Sequence, residues 1–262
     1  MTRPIVFLTD YGLADGFVGV CHGVIERIAP GARVIDLTHQ VPRQGVLQGA
    51  IALGRATRYM PDDAVYLAVV DPGVGSQRRA IAVEARSGAH LVGPDNGLLS
   101  MAWAELGGAS RAVEVASEDV VLHPVSQTFH GRDIFAPAAA HLASGMDLRR
   151  LGPPVPLDDL HAVDLPGPMV GPGSVGARVV AIDTFGNVQL NATPADLAAA
   201  GVGPTLGIGR RDVPLITTFA DVPPGVCAAV VDSEGFVALV VNRGSAADVL
   251  GLSVGDAIVL GA

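Results

Sequence analysis

Ile5-Val6-Phe7-Leu8-Thr9-Asp10-Tyr11-Gly12 is the stretch from which the fold can be read. Four apolar residues without polar alternation describe a strand buried on both faces, as in a parallel sheet, and the polar residues after them mark a loop at its carboxyl end. Phe17 to Ile28 then suits a helix, Arg33 to Leu37 a second strand, Val46 to Tyr59 a second helix, and Ala64 to Val70 a third strand that stops at Asp71-Pro72-Gly73. Strand, loop, helix and strand at this spacing predict an α/β domain of three layers around a mostly parallel sheet. Ligands of such sheets lie beyond the carboxyl ends of the strands, where Asp10 and Asp71 both fall.

Further along, the texture changes. Six prolines, Pro153, Pro154, Pro156, Pro166, Pro168 and Pro172, fall in a stretch with no periodic apolar face, which reads as a linker. Beyond it, short strands such as Ala177 to Ile182 and Phe236 to Val241 alternate with Gly and Asn turns, the pattern of a small antiparallel β-barrel. Ser233-Glu234-Gly235 reads as a hairpin turn, and the Ala-rich runs 138–143 and 195–200 as helix. The expected division is an α/β domain over 1–152, a Pro-rich linker over 153–173 and a β-barrel over 174–262.

Composition narrows the function. With 262 residues, 49% hydrophobic and 16% charged, the chain can bury sizeable cores, and disorder is excluded. A net charge of -9 disfavours nucleic acid and anionic membrane as partners. The mean hydropathy of +0.43 is not concentrated in any run of the roughly 20 apolar residues that a spanning helix requires. The short apolar run at Ile5 to Leu8, closed by Asp10, is unlike a signal peptide, and a cytoplasmic location is expected. Cys21 and Cys227 lack CxxC spacing and read as buried free thiols. All 17 basic residues are Arg, which removes Schiff-base chemistry, pyridoxal attachment and the P-loop lysine together.

Asp71-Pro72-Gly73-Val74-Gly75-Ser76 allows a tight loop after a strand, but it matches neither GxGxxG nor Walker A. Arg78 follows closely, and His130 stands in Gln127-Thr128-Phe129-His130-Gly131-Arg132-Asp133. Carboxylate, guanidinium and imidazole are the parts needed to orient and polarise a water molecule, although spacing alone does not bring them together. Asp10, Asp15, Asp71, His39 and His130 are equally an inventory of metal ligands, without HxH, HExxH or calcium-loop spacing. His22, His90, His123, His141 and His161 read as surface or satisfied histidines. In the second half, Asp183 to Val188 and Thr218-Phe219-Ala220-Asp221 combine aromatic faces with amide and carboxylate groups, which suit an adenosine or amino-acid pocket as well as they suit turns and packing anchors.

Taken together, six segments resemble the S-adenosylmethionine hydrolases, or hydroxide adenosyltransferases, relatives of the fluorinases and chlorinases. They are Leu8 to Gly12, Val70 to Gly75, Gly93 to Leu99, Thr128 to Asp133, Ile182 to Asn187 and Val241 to Gly244, in the family's order and spanning nearly the whole chain. The resemblance implies hydrolysis of S-adenosyl-L-methionine to adenosine and L-methionine without metal or other cofactor. It also implies a homotrimer, with each substrate held between one subunit's N-terminal domain and its neighbour's C-terminal domain. It places the water-handling triad on Asp71, Arg78 and His130, the ribose contact on Asp10, and the methionine contacts on Asp183 and Ser233. Asn187, Phe219 and the Arg243 backbone fall in the adenine pocket, with Phe129, Phe185 and Asn242 among the other substrate contacts. Glu234 stands where the halogenases have Arg, and Gln44 where they have Trp. By the same resemblance the related halogenases differ in having Tyr at the position of Asp71 and hydroxyl side chains near Val74 and Gly131, and the fluorinases carry an insertion for which the tight Ala85 to His90 connection has no room. A carboxylate repels halide and accepts a hydrogen bond from water, so water is the expected nucleophile. A halide-using transferase, a binding protein without turnover and a metal-dependent hydrolase built on Asp10, Asp71 and His130 are the alternatives.

Overall fold

The computed structural model describes residues 2–261. Contacts divide the chain into two compact units, Met1–Asp164 and Leu165–Ala262. In the first unit β1 (Ile5–Thr9), β2 (Val34–Thr38), β3 (Val65–Val69), β4 (Ala80–Ala85), β5 (His90–Pro94) and β6 (Ala109–Glu114) form one sheet in the order β2-β1-β3-β5-β4-β6. The pairings β2–β1, β1–β3 and β3–β5 are parallel, while β4 runs antiparallel to both β5 and β6. The mostly parallel sheet is therefore as expected, with an antiparallel insertion beside β5 made by the tight hairpin through 86–89.

Side chains alternate across the strands, and both faces are covered. Ile5, Phe7, Val65, Leu67 and Val69 share one core with residues of α1 (Phe17–Ile28) and α4 (Ala136–Ala143). Val6, Leu8, Tyr66, Ala68 and Val70 share another with Leu53 of α2 (Val46–Ala56) and Ala102 of α3 (Ser100–Glu105). Ile5, Val6, Phe7 and Leu8 are all fully buried, which is why the stretch shows no polar alternation, and each contributes about 1.5–3 kcal/mol of burial. A 3-10 turn, Thr57–Tyr59, completes the helical stretch expected to Tyr59. The buried Asp95 carboxylate takes two bonds from Arg79, at 2.9 and 2.7 Å, and one from the His161 N–H at 2.9 Å. The Val163 N–H donates to Ser100 Oγ at 3.1 Å, so the chain is tied to this unit as far as residue 163.

The second unit holds β7 (Met169–Gly171), β8 (Ser174–Ile182), β9 (Val188–Leu190), α5 (Pro194–Ala200), β10 (Thr205–Ile208), β11 (Arg211–Ile216), β12 (Cys227–Val231), β13 (Val237–Val241), α6 (Ala246–Leu250) and β14 (Ala257–Gly261). Strands β14-β10-β11-β12-β13-β9-β8 form a ring closed by β8–β14, and β7 pairs with Ser174 to Gly176 at the start of β8. Closure leaves no open sheet edge among the seven. The expected barrel is present, antiparallel except at β11–β12, which run parallel. Val175, Val179, Leu190, Leu206, Val237, Leu239 and Leu260 fill it. The Ser233-Glu234-Gly235 turn joins β12 to β13 as a hairpin. Among the described residues no helix is long and apolar enough to cross a membrane.

Candidate active site

In the first unit the polar ends of two strands meet a π turn. Asp71 follows β3, where the Val70 carbonyl is pinned by Asn96 Nδ2 at 2.9 Å. His130 immediately precedes the π turn Gly131–Phe135, a rare local geometry that recurs at functional sites. Arg78 joins the two. Its Nε lies 2.9 and 3.1 Å from Asp71 Oδ1 and Oδ2, its Nη2 lies 2.5 Å from Oδ2, and the same Nη2 lies 2.7 Å from His130 Nδ1. The side chains of Arg78 and Asp71 are 11% and 6% exposed, and the guanidinium lies 5.1 Å from the centre of the Phe135 ring.

The hydrogen bonds settle protonation. A guanidinium only donates, so His130 Nδ1 accepts and the proton of the neutral ring is on Nε2. Burial and the neighbouring Arg78 cation pull the His130 pKa below its ordinary value, against the opposing pull of Asp71 and Asp133. Asp71 and His130 thus present their donor atoms to a cation the chain already carries, an arrangement that does not suit a metal bound between them. Among the described residues Arg78 Nη1 has no partner within the chain, which leaves it able to bind a small polar molecule.

The surroundings of this triad come from the loops after β1 and β2, the start of α1 and the segment before the π turn. Gln44, at φ 61, is a left-handed non-glycine residue whose N–H donates to Asp10 Oδ2 at 2.9 Å. Asp10 Oδ1 has no partner among the described residues. Phe129 packs edge-on against Tyr11 and Phe17, at 5.8 and 5.0 Å between ring centres. Burial raises the Tyr11 hydroxyl far above its ordinary pKa, and burial likewise pushes the Cys21 thiol up to about 12, too high for a nucleophile. Within the π turn, the buried Asp133 accepts from Ser126 N–H at 2.9 Å and from Arg132 at 2.6 and 2.8 Å. Burial pushes its pKa up, but these bonds outweigh it and hold the carboxyl below its ordinary range.

The structure also shows what sequence reading missed. A Cβ built on Gly131 would sit 2.0 Å from the Tyr11 hydroxyl, so the Tyr11 ring occupies the space any side chain at 131 would need. The signals were Tyr11 in one motif and Gly131 in another, and nothing in their spacing announces the contact.

In the second unit two adjoining cavities, of about 440 and 580 Å³, share Asp183, Asn187 and Phe219. Ser233 lines the first, and Phe185, Asn242 and Arg243 line the second. Asp183 holds its own loop: Oδ1 accepts from the Phe185 and Asn187 N–H groups, both at 2.9 Å, and Oδ2 accepts from Asn187 Nδ2 at 2.7 Å. That leaves Asn187 Oδ1 as an acceptor. Asn242 Nδ2 donates to the Val222 carbonyl at 2.7 Å, and Arg243 adopts φ 57, which turns the backbone beside it. Phe185 and Phe219 are 77% and 46% exposed, aromatic faces open to a flat ligand. Glu234 Oε2 is shut from solvent and takes no hydrogen bond among the described residues.

A family model described as the SAM hydroxide adenosyltransferase N-terminal domain matches residues 5–152, and its C-terminal counterpart matches 177–259. A protein of Salinispora tropica named (R)-S-adenosyl-L-methionine hydrolase is 52% identical over 97% of this chain and 96% of its own length. A Thermus thermophilus protein of the same name is 43% identical, over 97% of each chain. Fluorinases are more distant, at 29–31% identity. The crystal structure of a conserved protein of Thermotoga maritima, 36% identical, superposes with a TM-score of 0.90 over 98% of this chain and 100% of that one. Matched in both of its units, the chain belongs to the SAM hydroxide adenosyltransferase family.

Proposed function

We propose that the protein hydrolyses S-adenosyl-L-methionine to adenosine and L-methionine, and that Asp71, Arg78 and His130 handle the water. The observation that carries the reading is the single guanidinium held between a nearly buried carboxylate and a neutral imidazole at the end of β3. Water attacks the ribose C5′, the C5′–O bond forms as the C5′–S bond breaks, and the bonding pair passes to sulfur, which leaves as a neutral thioether. The proton from water passes to Asp71 and then to solvent. A sulfonium is already a good leaving group, so no cofactor is needed, and alignment of water and carbon at about 3–3.5 Å is worth up to roughly 7–11 kcal/mol.

Asp10 holds the ribose hydroxyls through its uncommitted oxygen. Asn187 Oδ1 accepts from the adenine amine while Phe219 and Phe185 stack on the base, and the Arg243 backbone and Asn242 close that pocket. Asp183, Ser233 and Glu234 hold the methionine part; a buried, unpartnered carboxylate oxygen on Glu234 suits the α-ammonium. Phe129 shields the reacting carbon. The functional division runs 1–152, 153–173 and 174–262. Assembly as a homotrimer, each substrate held by the N-terminal part of one subunit and the C-terminal part of its neighbour, and a cytoplasmic location belong to the same reading.

Incubation with each sulfonium epimer in chloride buffer, followed by separation of the nucleosides, tests it. The expected result is adenosine and methionine in equal amounts, favouring the (R) epimer for which the relatives are named, with the rate at least about 100-fold lower in Asp71→Ala and His130→Ala. Chlorinated nucleoside, or tight binding without product, would displace hydrolysis.

A further inference from the structure

A second polar cluster lies on the α1 side of the sheet's edge strand, outside the triad. His22 on α1, Asp36 on β2 and His39 just beyond β2 bring one donor atom each within 4.8 Å of one another. His22 Nε2 lies 2.9 Å and His39 Nε2 3.0 Å from the same oxygen, Asp36 Oδ1. The sequence suggested a satisfied surface role for His22, and only its fold neighbours give it another.

His39 points to a ligand independently of the clustering. Its side chain is 3% exposed, and its Nε2 is shut from solvent without a hydrogen bond, because the approach to Asp36 lacks hydrogen-bond geometry. Its other nitrogen, Nδ1, lies 2.9 Å from the hydroxyl of Thr9, which is itself fully buried and accepts from the Tyr11 N–H at 3.2 Å. When Nδ1–H is held by Thr9, the lone pair of Nε2 faces the cluster, which is the usual way a second partner fixes a metal-binding imidazole. Phe7 packs against both imidazoles, at 5.9 and 4.8 Å between ring centres, and keeps the site dry on that side.

We propose that His22, Asp36 and His39 bind one first-row divalent cation of the zinc type. Donors around such an ion at about 2.0–2.1 Å are roughly 3.3–3.5 Å apart, and the 2.9 and 3.0 Å approaches of His22 and His39 to Asp36 Oδ1 are only a few tenths of an ångström shorter, so small side-chain movements complete the site. Two imidazoles and a carboxylate are the ligand set these ions prefer, and the exposure of Asp36 leaves a fourth position to water. The ion acts as a clamp. It joins α1, β2 and the chain after β2, and the His39 carbonyl accepts from the Gly12 N–H at 2.7 Å, so the loop carrying Asp10 is braced by the same residue.

The test is calorimetric titration of Zn²⁺ into chelator-stripped, dialysed protein, with Co²⁺ absorption as a second readout and Tm with and without Zn²⁺ as a third. One Zn²⁺ per chain, visible bands of a His-ligated Co²⁺ and a Zn²⁺-dependent rise in Tm are expected. His22→Ala and Asp36→Asn both alter partly exposed side chains; each should weaken binding at least about 10-fold and abolish the rise in Tm. No saturable binding, or an affinity unchanged in either folded variant, would overturn the site.

Discussion

The closest contact a substitution can probe is that between Tyr11 and Gly131. A methyl group at 131 would lie 2.0 Å from the Tyr11 hydroxyl but 3.0 Å from Cζ, so most of the conflict is with one oxygen. Gly131→Ala should cost about 1–3 kcal/mol of stability and lower kcat, and adding Tyr11→Phe should restore part of both. Thermal unfolding and steady-state rates of the two variants check this; equal damage with and without the hydroxyl would contradict it. Arg78→Lys keeps the charge but loses the fork that serves Asp71 and His130 together, and kcat should fall with little change in KM. Because His130 must accept from Arg78, its protonation breaks the triad. The acid limb of the pH–rate profile should therefore lie below about 6.5, in line with the lowered His130 pKa.

Elements place these residues, and they were unequally legible. The unbroken apolar runs Ile5 to Leu8 and Ala64 to Val70 announced buried parallel strands, and the loops after them announced Asp10 and Asp71. The antiparallel β4 escaped because a doubly buried strand reads the same in either direction, and the parallel β11–β12 pair because register is not local. The triad itself was invisible to spacing: Arg78 and His130 are 52 positions apart, and only the fold makes one guanidinium serve both. In the barrel, the Asp183 to Asn187 loop read as a candidate pocket, but its carboxylate's engagement with its own backbone did not show. That loop gives an element-scale prediction. Gly186 adopts φ +80, and a Cβ there would meet Ser245 Oγ at 2.2 Å. Gly186→Ala should disturb the loop and raise KM several-fold while kcat changes little, as measured by initial rates against substrate concentration.

Across the whole molecule, folding takes several histidines out of their ordinary range. His90, held by Arg3 through Nη1 and Nδ1 at 2.5 Å, is pulled down to about 4 by burial and by the Arg3 cation. His130 and His141 are lowered in the same direction, by burial and then by Arg78 and Arg150. Unfolded, all three regain an ordinary value near 6.5, so between about 6.5 and 4 the unfolded chain binds more protons than the folded one. Stability should fall as the pH drops through that window and stay free of this contribution above it. Tm followed from pH 7.5 to 4.5 checks the slope, and His90→Gln should flatten it; an unchanged slope would assign the acid sensitivity elsewhere.

If the triad directs water onto C5′, the new oxygen of the nucleoside comes from solvent. Turnover of S-adenosyl-L-methionine in ¹⁸O-labelled water, with mass analysis of both products, decides this. One ¹⁸O in adenosine and none in methionine is the predicted result. Label in the amino acid product, or a nucleoside without ¹⁸O, would contradict it.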